Sequence, residues 1–263
     1  MAKARHMLDI VQYPLEGDQV GLWFIGQSGF VLRSAGITVV TDPYLSDSVS
    51  ERVPELTRLY PPPIAPEKLL ADVFIVTHNH LDHLDPQTIG PFPGKPQTLF
   101  VAPRLAAKKL LTLGIPEKNI HVIDSGVTQR VHDIEITGVY TLPNDPAVID
   151  TAGYKLTFAN GRSVYHSSDT AFSELLLASV PSAEVALLCI NGKSGNMDAA
   201  QAAQIAAKIK PTCAIGHHYD MFAFNAENPR ALGYQLKYLD AGIQTPVLEL
   251  MNAFVWGPTS HKF

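Results

Sequence analysis

Apolar residues fall along this chain in short runs broken by glycine and proline, which is the pattern of many short strands with helices between them. Val20–Ile25, Phe30–Arg33 and Ile37–Thr41 read as strands, separated by turns at Gly26-Gln27-Ser28-Gly29 and Ser34-Ala35-Gly36. The stretch from Asp42 to Pro66 has no period and carries Pro43, Pro54 and Pro61-Pro62-Pro63. An irregular segment this long in a compact domain is commonly a binding loop or lid. The unbroken run Val73-Phe74-Ile75-Val76 then reads as a buried strand. A strand near Thr98–Val101 follows, and Pro103 opens a helix reaching about Leu113, stopped by Gly114 and Pro116. Asn119–Ile123 and Asp133–Thr141 have further β character.

The clearest local signal is a hairpin, Tyr154–Ala159 and Arg162–His166 around Asn160-Gly161, a pair that favours a type I′ turn with positive φ at both residues. Ala171–Ala178 reads as helix and Glu184–Ile190 as strand. Asp198-Ala199-Ala200-Gln201 has the form of a capping box. The alanine-rich helix it starts ends at Lys208–Lys210, before Pro211, where cations suit the negative helix end. Thr212–Ile215 reads as strand, Pro229–Leu239 as helix and Pro246–Leu250 as a last strand. No repeat, low-complexity segment or linker interrupts this order, so residues 1–263 read as a single α/β domain.

Composition narrows the partners. At 263 residues and 46% hydrophobic content the chain can bury a large core. A formal net charge of −5 argues against a nucleic-acid backbone as partner, since there is no basic stripe to displace its counterions. No apolar run is long enough for a signal peptide core or a membrane span. Cys189 and Cys213 each sit in an apolar stretch and read as reduced, buried thiols on adjacent strands, so a cytoplasmic location is expected.

The chemistry concentrates in Thr77-His78-Asn79-His80-Leu81-Asp82-His83, directly after the buried run. Three imidazoles and a carboxylate packed this closely at a strand end are costly unless a cation neutralises them, and the donor types suit zinc, manganese or iron. Other predicted strands also end in polar groups: Asn144 and Asp145 after Asp133–Thr141, Asp169 after Arg162–His166, and His217-His218 after Thr212–Ile215. Strand ends at one rim of a sheet covered by helices share a crevice, so these residues are expected to converge.

His78-x-His80-x-Asp82-His83 resembles the His-x-His-x-Asp-His signature of the metallo-β-lactamase superfamily. Tyr165-His166-Ser167-Ser168-Asp169-Thr170 is similar to the segment that supplies a metal-bridging aspartate there, and His218-Tyr219-Asp220-Met221-Phe222 to the segment with the last histidine ligand. Thr41-Asp42-Pro43, Ile190-Asn191-Gly192 and Asn196-Met197-Asp198 extend the likeness, which is nearest to the L-ascorbate-6-phosphate lactonase group. The resemblance implies a four-layer αββα sandwich holding one or two divalent ions (Zn, Mn or Fe). His78 and His80 would bind a first metal, Asp82, His83 and His218 a second, and Asp169 would bridge them. The family's third histidine for the first metal is missing from Thr141-Leu142-Pro143-Asn144-Asp145-Pro146; Asp145 could stand in, with Asp150 a weaker candidate, or the position could be open.

The implied reaction is hydrolysis by a metal-bound hydroxide, with Asp82 orienting the nucleophile or shuttling its proton. A phosphorylated sugar lactone is the substrate the resemblance suggests, a small and anionic molecule. A phosphodiesterase of the same fold and a non-catalytic metal-binding module are the alternatives, and homo-oligomerisation is left open.

Neighbouring residues have plainer readings. His218, not His217, keeps the spacing to Tyr219 and Phe222. His166 is expected as a hydrogen-bonded support. His6, His121, His132 and His261 lack sequence partners. Asp42 is expected to brace the metal loop through hydrogen bonds. Lys193, Tyr44 and Arg52 are weak candidates for substrate contact, and neither Gly26–Gly29 nor Gly192–Gly195 has phosphate-loop spacing.

Overall fold

A computed structural model describes residues 3–34, 36–143, 145 and 148–258. One sheet contains β1 (Val20–Gly26), β2 (Gly29–Ser34), β3 (Ile37–Thr41), β4 (Val73–Ile75), β5 (Leu99–Ala102), β6 (Ile120–Val122) and β13 (Ala253–Trp256), in the order β13-β1-β2-β3-β4-β5-β6. The other contains β7 (Thr128–Val131), β8 (Ile134–Val139), β9 (Gly153–Thr157), β10 (Ser163–His166), β11 (Val185–Cys189) and β12 (Cys213–His217), in the order β12-β11-β10-β9-β8-β7. The helices are α1 (Met7–Val11), α2 (Pro86–Ile89), α3 (Arg104–Thr112), α4 (Glu174–Ser179), α5 (Ala199–Ile209) and α6 (Ala231–Tyr238).

Three apolar cores separate four layers. Leu22, Phe30, Val73, Ile75 and Val101 of the first sheet face Ile136, Leu156, Val164, Leu187 and Ile215 of the second. The outer face of the first sheet, with Trp23, Val31, Phe74 and Phe100, packs against Met7, Ile10, Ile89, Ala106 and Leu110. The outer face of the second, with Tyr165, Ala186, Leu188 and Ala214, packs against Leu176, Ala202, Ala206, Leu232 and Leu236. The architecture is the αββα sandwich. Strands such as β4 read as unbroken apolar runs because both of their faces are covered.

Strand direction gathers one set of ends at one rim. β1 and β3 both pair antiparallel to β2, and β3, β4 and β5 are mutually parallel, so their carboxyl ends lie together. β8 and β10 are likewise both antiparallel to β9, and β10, β11 and β12 are parallel. Gln27, Asp42, Ser168 and His218, each just past such an end, have left-handed backbones with φ of 55°, 39°, 61° and 65°. Non-glycine residues in this region cost on the order of 1–3 kcal/mol each and collect where a fold must aim side chains.

Local expectations hold with three corrections. The hairpin β9–β10 is antiparallel, but Gly161 has φ +81° while Asn160 is not in the left-handed region. Gly161 N–H donates to the Phe158 carbonyl (2.8 Å), as in the loop type where a turn is followed by a left-handed glycine, so the turn is not type I′. Pro246–Leu250 forms no ladder: Pro246 has no N–H, and Leu248 and Leu250 lean on the intersheet core. The last strand is β13, paired antiparallel with β1. β7, in the polar segment 128–131, was not legible as a strand. Cys189 and Cys213 are free, buried and on neighbouring strands, and no helix among the described residues is long and apolar enough to cross a membrane.

Candidate metal centre

The centre starts where β4 runs out. Asp42, fully buried past β3, accepts from Thr77 N–H (2.8 Å), from Thr77 Oγ1 (2.6 Å) and at His83 Nδ1 (2.7 Å). Asp42 thus makes the bracing contacts expected of it and turns His83 Nε2 inward. The loop is closed below by His83 and Leu84 N–H donating to the His80 carbonyl (3.2 and 2.7 Å), and Lys109 Nζ of α3 donates to the Asn79 carbonyl (3.1 Å). Asp85 then caps α2, accepting from Gln87 N–H and Ser48 Oγ. His78 Nε2 and His80 Nδ1 lie 2.9 Å apart, so the two rings turn nitrogens toward one point.

The second sheet supplies the opposite wall. Asp169 follows the left-handed Ser168, and its Oδ2 lies 3.0 Å from His218 Nε2. Its Oδ1 lies 3.5 Å from His83 Nε2, and Asp82 Oδ2 is 3.5 Å from His218 Nε2 and 3.7 Å from His83 Nε2. His218 N–H donates to the Gln27 carbonyl (2.7 Å), which ties the two sheets together at the rim.

Three triads, His78–His83–Asp169, Asp82–His83–His218 and Asp169–Cys189–His218, each bring their ligand atoms within 4.8 Å of one another. In the first of these, His83 Nε2 and Asp169 Oδ1 are buried without a hydrogen-bond partner. A facing imidazole nitrogen and carboxylate oxygen left bare in the interior fit a divalent cation: both are hard-to-borderline donors, and a cation would satisfy both at once.

Among the protein groups alone, charges arrange themselves as ion pairs. Burial would raise the Asp82 and Asp169 carboxyls, but nearby His83 and His218 hold both below the ordinary range. Burial would lower His83 and His218, but Asp169 and Asp82 outweigh it, pushing His218 up to about 9 and His83 well above its usual value. His78 goes the other way, lowered by burial and by the His83 charge. His83 and His218 thus balance the carboxylates as protonated counter-ions, and a cation bound there would have to displace their protons.

His78, His80, Asp82, His83, Asp169 and His218 are brought to one place. Asp145 reaches it differently: its Oδ2 is 2.9 Å from His80 Nε2, the ring nitrogen opposite the one turned toward His78. This geometry makes Asp145 a support for His80 and does not put it in the ligand position of a third histidine. Asp150 lies elsewhere, its carboxylate accepting from Leu105 N–H at the start of α3. Asn144 and His261 lie outside the described residues. His217 is buried between Ser28 Oγ (3.1 Å) and Ser167 Oγ (3.4 Å), and His166 between the Ser28 carbonyl (3.0 Å) and Ser168 N–H (3.0 Å). Tyr44 is buried in a small apolar cluster behind Phe222 and does not itself line the cleft.

Amides missed as functional residues surround the cluster. Gln27 Nε2 donates to Asp82 Oδ2 (2.7 Å) and lies 3.2 Å from His218 Nε2, while its Oε1 accepts from Asn225 Nδ2 (3.0 Å). Asn196 Nδ2 donates to Asp169 Oδ2 (2.8 Å), and the Asn191 amide lies 3.0 Å from His218 Nδ1. All of them line a cleft of about 620 Å³ that opens over Asp82, Asp169 and His218.

A family model described as beta-lactamase superfamily domain matches residues 38–219, the span from β3 through His218. The chain belongs to that family. A UPF0173 metal-dependent hydrolase of Methanopyrus kandleri is 28% identical over 237 residues, covering 86% of this chain and 95% of its own length. A UPF0173 metal-dependent hydrolase of Koribacter versatilis is 30% identical over 171 residues, covering 61% of this chain and 71% of its own. Igni18, a metallo hydrolase of Ignicoccus hospitalis, shares the fold with a TM-score of 0.73 at 20% identity, over 90% of this chain and 98% of that one. The superfamily member described here is thus a metal-dependent hydrolase, and its His/Asp cluster lies within the span that the family model covers.

Proposed function

We propose that this protein opens a small-molecule lactone by hydrolysis, using one or two divalent metal ions (Zn, Mn or Fe). The observation that carries this reading is the pair His83 Nε2 and Asp169 Oδ1, 3.5 Å apart and buried without a hydrogen-bond partner, beside an open cleft that Asp169 lines. His78 and His80 would hold one ion and Asp82, His83 and His218 the other, with Asp169 shared. When bound, such a cation supplies Lewis acidity toward a carbonyl oxygen and lowers the pKa of a water molecule to roughly 7.

The protein's own groups do the rest. Asp82, whose Oδ2 accepts from Gln27 Nε2, would orient the attacking water and take its proton. Ser194, Asn191 and Asn196 line the same cleft and can hydrogen-bond a ring oxygen or hydroxyl. The phosphorylated sugar lactone suggested by the sequence is one member of this class. The cleft is lined by neutral amides and carboxylates, with no Lys or Arg among its described residues, so the lactone ring is better supported than the phosphate.

The test is a substrate panel of lactones, phosphodiesters and thioesters, assayed with protein loaded in turn with zinc, manganese and iron. Lactone ring opening should appear, vanish on chelation and return with metal. Asp169→Ala should lose both metal and turnover. Fully loaded protein that opens no lactone would end the proposal, and turnover of phosphodiesters alone would put the alternative in its place.

A further inference from the structure

We infer that the substrate carries an apolar arm, an alkyl or aromatic group on a neutral lactone, which lies against a hydrophobic wall made by Val53, Leu56, Phe222 and Phe224; this rests on the lactonase reading above. The wall begins inside the protein. Leu56 and Phe222 belong to a small apolar cluster with Tyr44, Val49, Met221, Tyr60 and Leu81. Leu81 sits between His80 and Asp82 in the chain, so this cluster abuts the metal loop directly.

Two loops build the surface, and they are tied together. The long segment after β3 supplies Val53 and Leu56, and the turn after His218 supplies Phe222 and Phe224. Leu59 N–H donates to the Met221 carbonyl (2.9 Å), and Arg58 bridges antiparallel to Phe222. The long proline-bearing loop therefore closes one side of the cleft. Val53 and Phe224 are nonetheless 42% and 53% exposed. Single exposed apolar residues are ordinary, but two on tied loops lining the same cleft beside a buried apolar cluster form a surface that a ligand can cover.

Charge points the same way. Arg58, two residues past Leu56, is turned into the loop: it donates to the Tyr44, Ser46 and Tyr60 carbonyls and lies 5.1 Å from the Tyr44 ring centre. Arg52, next to Val53, is exposed and is not among the residues that line the cleft. The charged side chains lining the cleft other than histidines are Asp82, Asp145 and Asp169, all acidic. A scissile ester can be received at the metal-binding floor, whereas a second anionic group farther out would face hydrocarbon and carboxylate. A neutral, apolar arm fits both.

The test uses metal-loaded protein and a series of γ-lactones whose side chain grows from none to eight carbons, with a phosphorylated lactone for comparison. Each methylene that reaches the wall should raise kcat/KM about two- to fourfold until the cleft is filled. Phe224→Ala and Val53→Ser should flatten this dependence, read as the ratio of long-chain to short-chain kcat/KM. In parallel, calorimetry with alkyl-substituted cyclic ethers, which cannot be hydrolysed, should show affinity rising with chain length and falling in the same variants. Turnover with no dependence on chain length, or preference for the phosphorylated lactone, overturns the inference while leaving lactone hydrolysis standing. Absence of turnover with affinity still rising along the ether series supports the apolar wall and removes the lactonase reading instead. Ethers whose affinity does not rise with length overturn the wall whatever the turnover.

Discussion

Asp42 touches the proposed metal position only through His83, yet it has no freedom of its own: it is fully buried and its two oxygens are committed to Thr77 and His83. Its charge fixes Nδ1 of His83 as the protonated nitrogen and leaves Nε2 to point inward. Asp42→Asn should therefore keep the fold but weaken binding of one metal equivalent by about 10- to 100-fold, seen as loss of that equivalent on dialysis against a graded chelator. Asp145 makes the corresponding contact to His80, but its side chain is 41% exposed. Water can replace part of what it does, so Asp145→Asn should cost the other metal less than tenfold. Complete loss of a metal in Asp145→Asn would instead show that this carboxylate is itself a ligand.

The difference between these aspartates also marks what could be read in advance. His78, His80, Asp82 and His83 stand out because they are neighbours in sequence, and Asp169 and His218 because their flanking residues follow in a familiar order. Gln27 and Asn225 form no local pattern, and Asn191 and Asn196 lie in segments that extend the family likeness without revealing what their amides do. Their importance lies in contacts across the rim, such as Gln27 with Asp82, which are separated by 55 positions. Asp145 was legible as a residue near the centre, but which ring nitrogen of His80 it would meet depended on the path of its loop.

At the scale of elements, α5 shows how much stability a short signal can specify. Asp198 accepts from Gln201 N–H (2.8 Å) and the Gln201 side chain accepts from Asp198 N–H (3.1 Å), so two otherwise orphaned donors at the helix start are satisfied. This is the helix whose alanines cover the outer face of the second sheet. Asp198→Ala should cost about 1 kcal/mol, measured as a shift of the urea midpoint with an unchanged slope. Caps, the glycine-stopped helix α3 and the buried runs of β1 to β4 were legible because each depends on adjacent residues. β7 and β13 were not, because an edge strand is defined by the partner it finds: β7 is polar on its outer side and pairs with β8, and β13 reaches β1 across nearly the whole chain. The Asn160-Gly161 turn failed for a related reason. The Asn160 side chain donates to the Gly17 and Gln19 carbonyls of the turn before β1, a tertiary contact that selects a different loop.

For the whole molecule, the same buried charges link metal, pH and stability. In protein stripped by a chelator, His218 has its folded pKa raised to about 9 from an ordinary value near 6.5, because Asp169 and Asp82 outweigh the cost of burial. A raised folded value means that the native state binds the proton more tightly than the unfolded chain does. The resulting stabilisation is complete below about pH 6.5 and is lost as pH climbs through about 9. His83 is raised for the same reason and adds to the effect in the same direction. Asp82 and Asp169 are depressed, so their contribution is present above an ordinary carboxyl value near 4 and lost only on acidification beyond it. Stripped protein should thus lose Tm steadily from pH 6.5 to 9. A metal at the centre requires neutral histidines and substitutes for the protons, so loaded protein should hold its Tm over that interval, and loading at pH 7 should release protons, seen as a buffer-dependent calorimetric heat. The gap in Tm between loaded and stripped protein should therefore widen with pH. A gap that stays constant or narrows from pH 6.5 to 9 would mean that His83 and His218 are not the groups whose protons the metal displaces.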